Sequence, residues 1–349
     1  MYFLTIFQLI SQIAVAQNLQ EFKFVQEYKV HDNGIKARDV VHDDTFSIRT
    51  KLNVAEDYLD PDPESKETIE TFARMAAIGY FKPGKVDKAP WEPVPGYNRV
   101  KHNIYCNLNS SFGWGNKGLR GHVFISTDES FIVVSFKGTT LGLSKKWDSD
   151  KYQDNLMFSC CCSKVDITWK PMCPCVKGEK VCSLNCLKWW AHSDETYYHA
   201  AIKIVENVRI NYPSSKIWFT GHSMGGSIAS LLAATYEKSA AITFNAPGEK
   251  KFAEILNLNP NPNVFHFGVS TDPIFNGACQ GKLSPCYAAG YAMETKCHLG
   301  KVCVYAKSGK FDILHHQIKY FYDHFISKNI VPKCYIESDC KDCSGWAFE

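Results

Sequence analysis

Two short apolar segments, His122–Ser126 and Phe131–Phe136, flank a polar stretch at residues 127–130. Each segment has the length of a β-strand and is rich in β-branched and aromatic residues, and the stretch between them is typical of a turn. The pattern predicts an antiparallel hairpin. Its second strand leads directly into a polar loop, Lys137–Thr140.

Beyond the hairpin, strand-length apolar segments alternate with segments of helical periodicity. The helical segments are residues 197–212, which end before Pro213, and a stretch rich in small residues that ends near residue 236. The predicted strands are residues 216–220, 240–244 and 263–269. Because strands that alternate with helices form parallel sheets, the sequence predicts an α/β fold with a mostly parallel central sheet.

The N-terminal part of the chain has a different character. Residues 1–16 are mainly apolar, with small residues at Ala14 and Ala16 before a potential cleavage point, although no basic residue precedes them. This stretch is shorter than the roughly 20 residues that span a bilayer. We therefore predict a signal peptide or short signal anchor, the alternative being a buried N-terminal element. Residues 17–113 are expected to pack on the core, with a helix between Ser65 and Gly79.

The charge balance excludes some partners. The chain has 39 Lys and Arg against 36 Asp and Glu, which gives a net charge of +3. It has no run of five or six like charges. A nucleic-acid-binding protein would show a clustered basic surface, so nucleic acid is excluded as an expected partner. The hydrophobic share of 45% is that of a globular protein rather than a disordered one.

The 15 cysteines suggest an oxidising compartment. Twelve form three groups: residues 160–186, which hold seven, residues 279–286 and residues 334–343. The spacing within 160–186 is not the paired C-x2-C pattern of a zinc ribbon, so disulfides are favoured over a structural zinc cluster. The odd number leaves at least one cysteine without an intramolecular partner. Asn109 begins an Asn-x-Ser sequence that permits glycosylation in the secretory pathway.

The segment Gly221–Gly225 reads G-H-S-M-G and lies between an apolar strand and a helix. In this position the G-x-S-x-G pattern indicates a nucleophilic serine, Ser223, on a sharp strand-to-helix turn. Glycines are needed there because neighbouring backbone comes too close for a Cβ atom. The N-terminus of the following helix would direct N–H groups at a developing oxyanion.

A serine nucleophile needs a general base and an acid that orients it, and in this architecture the acid and then the base follow the serine along the chain. Asp272 follows the predicted strand 263–269 and is the candidate acid. Four histidines remain as candidate bases, and spacing alone does not choose among them: His298, His315, His316 and His324.

Several longer segments resemble one enzyme family. They include FIVVSFKGTT, DNLMFSCCCSKVDITWKPMCPC, IWFTGHSMGGSIASLL, FNAPGE and YAAGYAMETKCHLGK. Over about residues 114–325 the chain resembles the class 3 (fungal-type) lipases and, within them, an autophagy-related vacuolar subgroup that breaks down autophagic bodies. The triple cysteine and the YAAGYAMETKCHLGK stretch are typical of that subgroup.

The resemblance implies an α/β-hydrolase-like lipase core with a disulfide-rich insertion at residues 160–186. The family's D-I-x-x-H-x-I pattern falls on Asp312–Ile318, which makes His316 the base and His315 the fallback. Family members take one oxyanion donor from the residue at Thr139 and the other from the N–H of the residue at Met224. No metal or organic cofactor is implied for this chemistry.

The resemblance also implies a lid after the loop Lys137–Thr140, for which residues 141–152 are the candidate. Aromatic and soft side chains in or near the insertion would suit a lipid interface, although ordinary packing explains them equally well. These side chains are Trp169, Met172, Trp189 and Trp190. Nearby lysines would favour anionic headgroups.

Together these features predict a serine acyl-ester hydrolase, of triacylglycerol lipase or phospholipase type, that acts on lipid bilayers in a vacuole- or lysosome-like compartment. Its catalytic domain is expected at residues 114–330, followed by a cysteine-containing tail at 331–349. The alternatives are a non-catalytic, disulfide-stabilised lipid-binding module, a thioesterase or peptidase with the same three residues, and a secreted rather than vacuolar enzyme. The sequence identifies no protein partner.

Overall fold

Strands and helices follow one another as the hydrophobic pattern predicts. The computed structural model describes residues 18–23, 28–31, 34–37, 46–53, 58–82, 111–114, 118–126, 129–140, 149–163, 171–279 and 284–349. The predicted signal segment at 1–16, Cys106 and Asn109 lie outside the described residues.

The strands are, in chain order, β1 (Asn18–Lys23), β2 (Tyr28–His31), β3 (Gly34–Ala37), β4 (Phe46–Asn53), β5 (Tyr58–Pro61), β6 (Ser111–Phe112), β7 (Gly121–Ser126), β8 (Phe131–Phe136), β9 (Val176–Gly178), β10 (Val181–Cys182), β11 (Lys216–His222), β12 (Ala240–Phe244), β13 (Val264–Val269), β14 (Lys301–Tyr305), β15 (Cys334–Tyr335) and β16 (Ala347–Phe348). The α-helices are α1 (Lys66–Ile78), α2 (Ser149–Met157), α3 (Leu184–Ala191), α4 (Tyr197–Asn211), α5 (Met224–Thr235), α6 (Lys250–Leu256), α7 (Pro285–Ala288) and α8 (Ile318–Phe321). A 3₁₀ turn, Ile313–His316, precedes α8, and a π-helical turn, Tyr322–Ile326, follows it.

The large sheet has the order β15-β14-β13-β12-β11-β8-β7-β1-β4-β5, with β6 also paired to β7. Strands β8, β11, β12, β13 and β14 are mutually parallel, which confirms the predicted α/β architecture. The predicted hairpin forms as the antiparallel pair β7–β8. Since the carboxyl ends of the parallel strands meet at one edge, residues that follow β11, β13 and β14 come together there.

The central strands are mainly apolar because both faces of the sheet are covered. Every residue of β8, β12 and β13 is buried. Helix α5 is buried from residue 224 to residue 234, and its small residues let it approach the sheet closely. This arrangement explains why these segments show continuous hydrophobicity and no alternation.

Helix α1 covers the sheet from the N-terminal part of the chain, at the position where the sequence predicts a helix. Ser65 accepts a hydrogen bond from the backbone N–H of Thr68 and so caps its first turn. Ile69 and Phe72 on its apolar face are fully buried in the main core. The helix thus ties the N-terminal region to the catalytic part of the sheet.

Fourteen cysteines form seven disulfides within the described residues. The pairs are Cys160–Cys343, Cys161–Cys182, Cys162–Cys173, Cys175–Cys186, Cys279–Cys286, Cys297–Cys340 and Cys303–Cys334. The preference for disulfides over a cysteine zinc cluster is therefore confirmed for the described cysteines. Three bridges fix the C-terminal tail (residues 331–349) to the core.

The tail also pairs with the insertion through its backbone. Strand β16 lies parallel to β10, and the carbonyl oxygen of Glu349 accepts a hydrogen bond from the N–H of Leu184 at 2.7 Å. Among the described helices, none combines the length and the apolar character that a membrane crossing requires.

The Cys160–Cys343 disulfide should contribute more to stability than a local one, because it links residues 183 apart and a longer closed loop removes more entropy from the unfolded chain. We expect the paired change Cys160→Ser and Cys343→Ser to lower the free energy of unfolding by about 4 kcal/mol. Denaturant unfolding under oxidising conditions measures this value.

The matched control is Cys279→Ser with Cys286→Ser, which removes a disulfide between residues only 7 apart. It should lower the free energy of unfolding by about 2 kcal/mol. Equal losses for the two pairs would contradict the loop-length argument.

Candidate active site

Ser223 lies on a strained turn between β11 and α5. Its backbone has φ of 57° and ψ of −135°, a region that residues other than glycine rarely adopt and that costs of order 1–3 kcal/mol. The side chain is only 7% exposed. The turn holds the hydroxyl at the N-terminus of α5, as the G-x-S-x-G pattern predicts.

Close backbone contacts hold this turn in place and explain its glycines. A Cβ atom on Gly221 would lie 2.4 Å from the carbonyl carbon of Gly225, and one on Gly225 would lie 2.2 Å from the carbonyl oxygen of Phe136. Both distances are far below any real Cβ contact. A side chain at Gly221 would push α5 away from β11, and one at Gly225 would push α5 away from the end of β8.

The structure brings together the three residues that the sequence singles out for catalysis. His316 Nε2 lies 2.9 Å from the Ser223 hydroxyl, and His316 Nδ1 lies 2.9 Å from Asp272 Oδ2. Asp272 is fully buried, and its other oxygen accepts the N–H of Ile274. The carboxylate is thus fixed on the side of the imidazole opposite the serine.

His315, the fallback base, has a different environment. Its Nδ1 lies 2.8 Å from the hydroxyl of Thr271, and its Nε2 accepts a hydrogen bond from the ammonium of Lys307 at 3.0 Å. Both ring nitrogens are therefore engaged away from Ser223. The geometry selects His316, where spacing alone had left the choice open.

A second histidine supports the backbone of His316. His222 Nε2 donates to the carbonyl oxygen of His316 at 2.6 Å, and His222 Nδ1 accepts from the Tyr80 hydroxyl at 2.6 Å. Burial, with a further effect from the nearby His316, lowers the pKa of His222 well below 6.5. His222 is therefore neutral, and its partners define the tautomer: the carbonyl requires a proton on Nε2 and the phenol donates to Nδ1.

The loop Lys137–Thr140 after β8 is held by two buried carboxylates on α2. The Thr139 hydroxyl donates to Asp154 Oδ2 at 2.6 Å, and the Thr140 N–H donates to Asp150 Oδ2 at 3.2 Å. Lys137 pairs with Asp150 at 3.3 Å and is itself only 6% exposed. The loop that carries one predicted oxyanion donor is therefore rigidly supported from behind.

Thr139 and Met224, the two predicted oxyanion donors, lie on either side of the serine turn. The Thr139 hydroxyl also lies 3.8 Å from the sulfur of Met224, so the two residues are in contact. In the described part of the chain, neither backbone N–H donates a hydrogen bond to another group. The Thr139 hydroxyl is occupied by Asp154, which leaves the two amides to act as donors.

The predicted lid is only partly described. Residues 141–148, with Trp147, lie outside the described residues. Residues 149–152 form the first turn of α2, where Asp150 is 2% exposed. This end of the segment is part of the helix that supports the loop, and the lid stays a prediction.

The predicted lipid-facing side chains are only partly described as well. Trp189 is 67% exposed and contacts the half-buried Trp190 edge to face. Met172 is half-buried. Trp169 lies outside the described residues.

Sequence reasoning missed the buried polar side chains that support the site. Tyr80 belongs to none of the motifs, and the sequence assigned no supporting role to Asp150 or Asp154, although Asp154 begins one of the family segments. The partners of these side chains are up to 142 residues away in the chain. A weak signal was available for the two aspartates, since residues four apart share a helix face. No pattern near Tyr80 indicates that it contacts His222.

Part of the chain matches the model of a known protein family. Residues 133–276 match the family model described as "Lipase (class 3)". This matched segment includes β11, the serine turn and Asp272. The match agrees with the resemblance to class 3 lipases that the motifs show.

The chain is similar to curated relatives named "Putative lipase ATG15". It is 37% identical over 314 residues to that of Kluyveromyces lactis, covering 84% of this chain and 58% of the relative. It is 38% identical over 311 residues to the relative of Pichia angusta, and the alignment covers 84% of this chain and 56% of that relative. The chain thus spans little more than half the length of these relatives.

Solved lipase structures also align with the chain. The lipase of Rhizopus microsporus var. chinensis is 18% identical, with a TM-score of 0.36, over 70% of this chain and 76% of that one. Lip2 lipase of Yarrowia lipolytica is 14% identical, with a TM-score of 0.35, over 70% of this chain and 79% of that one.

Gly225→Ala tests the close contact beneath the serine turn. The added methyl group would meet backbone atoms of Phe136, which cannot rotate away. We expect the free energy of unfolding to fall by about 3 kcal/mol, or the chain to fail to fold. In the control Gly178→Ala, the new Cβ lies 4.0 Å from Val181 Cγ2, so its stability should change by less than about 0.5 kcal/mol. Similar stabilities for the two variants would refute the close-approach argument.

Tyr80→Phe tests the support of His222. The change leaves His222 Nδ1 buried without a donor, which costs about 1–3 kcal/mol. Denaturant unfolding should show that loss for Tyr80→Phe and almost none for Tyr335→Phe, whose side chain is 54% exposed. An unaffected Tyr80→Phe variant would mean that the hydrogen bond contributes nothing to the site.

Proposed function

We propose that this chain is a serine carboxylic ester hydrolase of lipase type, in which Ser223, His316 and Asp272 are the catalytic residues. The observation that carries the proposal is the continuous hydrogen-bonded path from the Ser223 hydroxyl through His316 to the buried carboxylate of Asp272. The match of residues 133–276 to the class 3 lipase model supports the same reaction class.

The reaction begins when His316 Nε2 removes the proton of the Ser223 hydroxyl as the oxygen attacks an ester carbonyl. Asp272 stabilises the imidazolium that results and keeps Nδ1 protonated beforehand. The imidazolium then protonates the leaving alcohol, and an acyl-enzyme remains. Water, activated by His316, cleaves this acyl-enzyme and restores the free serine.

The negative charge on the carbonyl oxygen needs donors that are already in position. The N–H groups of Thr139 and Met224 are our candidates, and the positive end of α5 adds to their effect. Asp154 and Asp150 restrain the loop of Thr139, so little reorganisation is needed when the charge appears. Removing one such donor costs about 10²–10³-fold in turnover in other serine hydrolases.

The proposed substrates are the acyl esters of membrane phospholipids and triacylglycerols. Support comes from the lipase names of the curated relatives and from the exposed Trp189 beside an insertion that carries exposed lysines, Lys177 and Lys180. The resemblance to the autophagy-related subgroup extends the proposal to membranes delivered for degradation, such as autophagic bodies.

The proposed location is the lumen of a vacuole or lysosome, reached through the secretory pathway by way of endosomes or multivesicular bodies. Seven disulfides within the described residues suit an oxidising route, and residues 1–16 have the composition of a signal peptide or a type II signal anchor. Secretion is the alternative destination. A glycan at Asn109 would agree with either route.

The experiment compares the full chain with Ser223→Ala on two substrates: vesicles that contain phosphatidylserine and emulsified triacylglycerol. We expect release of fatty acid from both, at acidic and neutral pH, and a loss of at least about 10⁴-fold in Ser223→Ala. Release from the emulsion alone would restrict the enzyme to neutral lipids. Activity that persists in the variant would refute the assignment of the nucleophile.

A folded, oxidised chain that is inactive on both substrates would favour the lipid-binding alternative. Turnover of an acyl thioester without turnover of either lipid would favour the thioesterase. Both results would overturn the lipase proposal.

Replacing each of the two adjacent histidines with alanine distinguishes the two candidate bases. His316→Ala should reduce turnover by about 10⁴-fold or more, because the serine loses its proton acceptor. His315→Ala should keep activity within about tenfold of the parent chain, since its ring contacts Thr271 and Lys307. The reverse order of effects would assign the base to His315.

A further inference from the structure

A second cluster of ionisable side chains is buried away from the catalytic residues. Glu249, at the start of α6, and His266, on β13, are fully buried, and His298, before β14, is 5% exposed. One carboxylate oxygen of Glu249 and one ring nitrogen of each histidine lie within 4.8 Å of one another. None of these residues takes part in the proposed ester hydrolysis.

The outer hydrogen bonds of the two imidazoles leave one nitrogen of each for a partner within the cluster. His298 Nε2 lies 3.0 Å from the carbonyl oxygen of Ala246, which can only accept, so Nε2 carries the proton. His266 Nδ1 lies 2.7 Å from the Thr243 hydroxyl, and a proton on Nδ1 leaves Nε2 as a lone pair. Metal-binding histidines are held in this way by an outer acceptor.

Each of these nitrogens faces a carboxylate oxygen, which also has only lone pairs to offer. His298 Nδ1 lies 3.1 Å from Glu337 Oε2, and His266 Nε2 lies 3.2 Å from Glu249 Oε1. The second contact lacks the alignment of a hydrogen bond, so His266 Nε2 has no hydrogen-bond partner. Each contact therefore needs a positive charge, supplied either by a second proton on the imidazole or by a bound cation.

Glu249 supplies a further observation. Its Oε1 accepts from the Ser230 hydroxyl at 2.5 Å and from the Leu299 N–H at 3.1 Å, which fixes the carboxylate in place. Its Oε2 is buried and has no hydrogen-bond partner. A fully buried carboxylate oxygen without a donor is costly and calls for a compensating positive charge.

We propose that Glu249, His266, His298 and Glu337 bind one divalent transition-metal ion, and that zinc fits the donor set. Imidazole nitrogens and carboxylate oxygens in a four-coordinate arrangement are an established zinc environment. Two of the separations between these donor atoms, 3.1 and 3.2 Å, are near the about 3.3 Å between donors of a tetrahedral zinc. Glu249, His266 and His298 lie within 4.8 Å of one another and would move closer on binding, and Glu337 would join them through its contact with His298.

The ion would have a structural role. Glu337 belongs to the C-terminal tail, whereas the other three ligands come from the core, so the metal would join the tail to β13 and α6. Four protein ligands leave no open position for substrate, which is typical of a structural site. The side chain of Glu337 is 26% exposed and marks the entry path for the ion.

The test uses the full chain with its disulfides intact and any free thiol alkylated with iodoacetamide. Elemental analysis should find about one zinc per chain after purification, because closed sites of this type bind tightly. Removal of the metal with a chelator should lower the melting temperature, and added zinc should restore it. Cobalt in place of zinc should give the visible absorption of a tetrahedral N/O site without a thiolate charge-transfer band.

Two isosteric variants and one control locate the site. Glu337→Gln keeps the shape of an accessible ligand, and Glu249→Gln keeps that of a buried one; each should weaken zinc binding at least about tenfold, as measured by calorimetric titration. Glu254→Gln, on the same helix as Glu249 but 55% exposed and paired with Lys251, should bind zinc like the parent chain.

Three results would overturn the proposal. A parent chain that neither contains nor binds zinc would show that protons alone balance the cluster, as ion pairs of histidine and glutamate. Unchanged binding in folded Glu337→Gln and Glu249→Gln would locate the metal elsewhere. A thiolate band in the cobalt spectrum would assign it to cysteine. Zinc binding and the cobalt spectrum of the parent chain decide the first and third results even if a variant fails to fold.

Discussion

The close approach of α5 to the loop after β8 is the constraint on which the site depends. Ser223 can keep its unfavourable backbone conformation only because Gly221, Gly225 and the backbone of Phe136 are in direct contact around it. That contact determines where the Ser223 hydroxyl points and where the N-terminus of α5 lies. The remaining parts of the site are built outward from this fixed turn, by the loop after β8 and by the segments that follow β13 and β14.

Buried polar groups supply the precision that the apolar core cannot. Hydrophobic packing tolerates small displacements. By contrast, the hydrogen bonds of the neutral His222 to Tyr80 and to the His316 carbonyl allow only one arrangement. The same holds for Asp150 and Asp154 behind the loop Lys137–Thr140. Such groups destabilise the fold whenever a partner is missing. The site therefore relies on α1 and α2, elements that contribute none of the proposed catalytic residues.

The C-terminal tail is held by covalent bonds and by charge more than by packing. Three disulfides connect it to the core, and Glu337 extends into the cluster around His298. Several of its residues are exposed, which gives it little apolar area to bury. These bonds do not depend on burial, and a bound metal would add another of that kind.

The sequence by itself determined the parallel sheet, the serine turn and the disulfide chemistry, because each follows from local residue order: continuous apolar strands, glycines around a serine, and clustered cysteines. It also identified Asp272 as the candidate acid. Spacing alone did not separate His316 from His315. The family pattern favoured His316, and the tertiary structure showed which ring faces the serine, since adjacent residues differ in direction and not in spacing. Likewise Tyr80 and the Glu249 cluster became visible only when strands distant in the chain brought their side chains into contact.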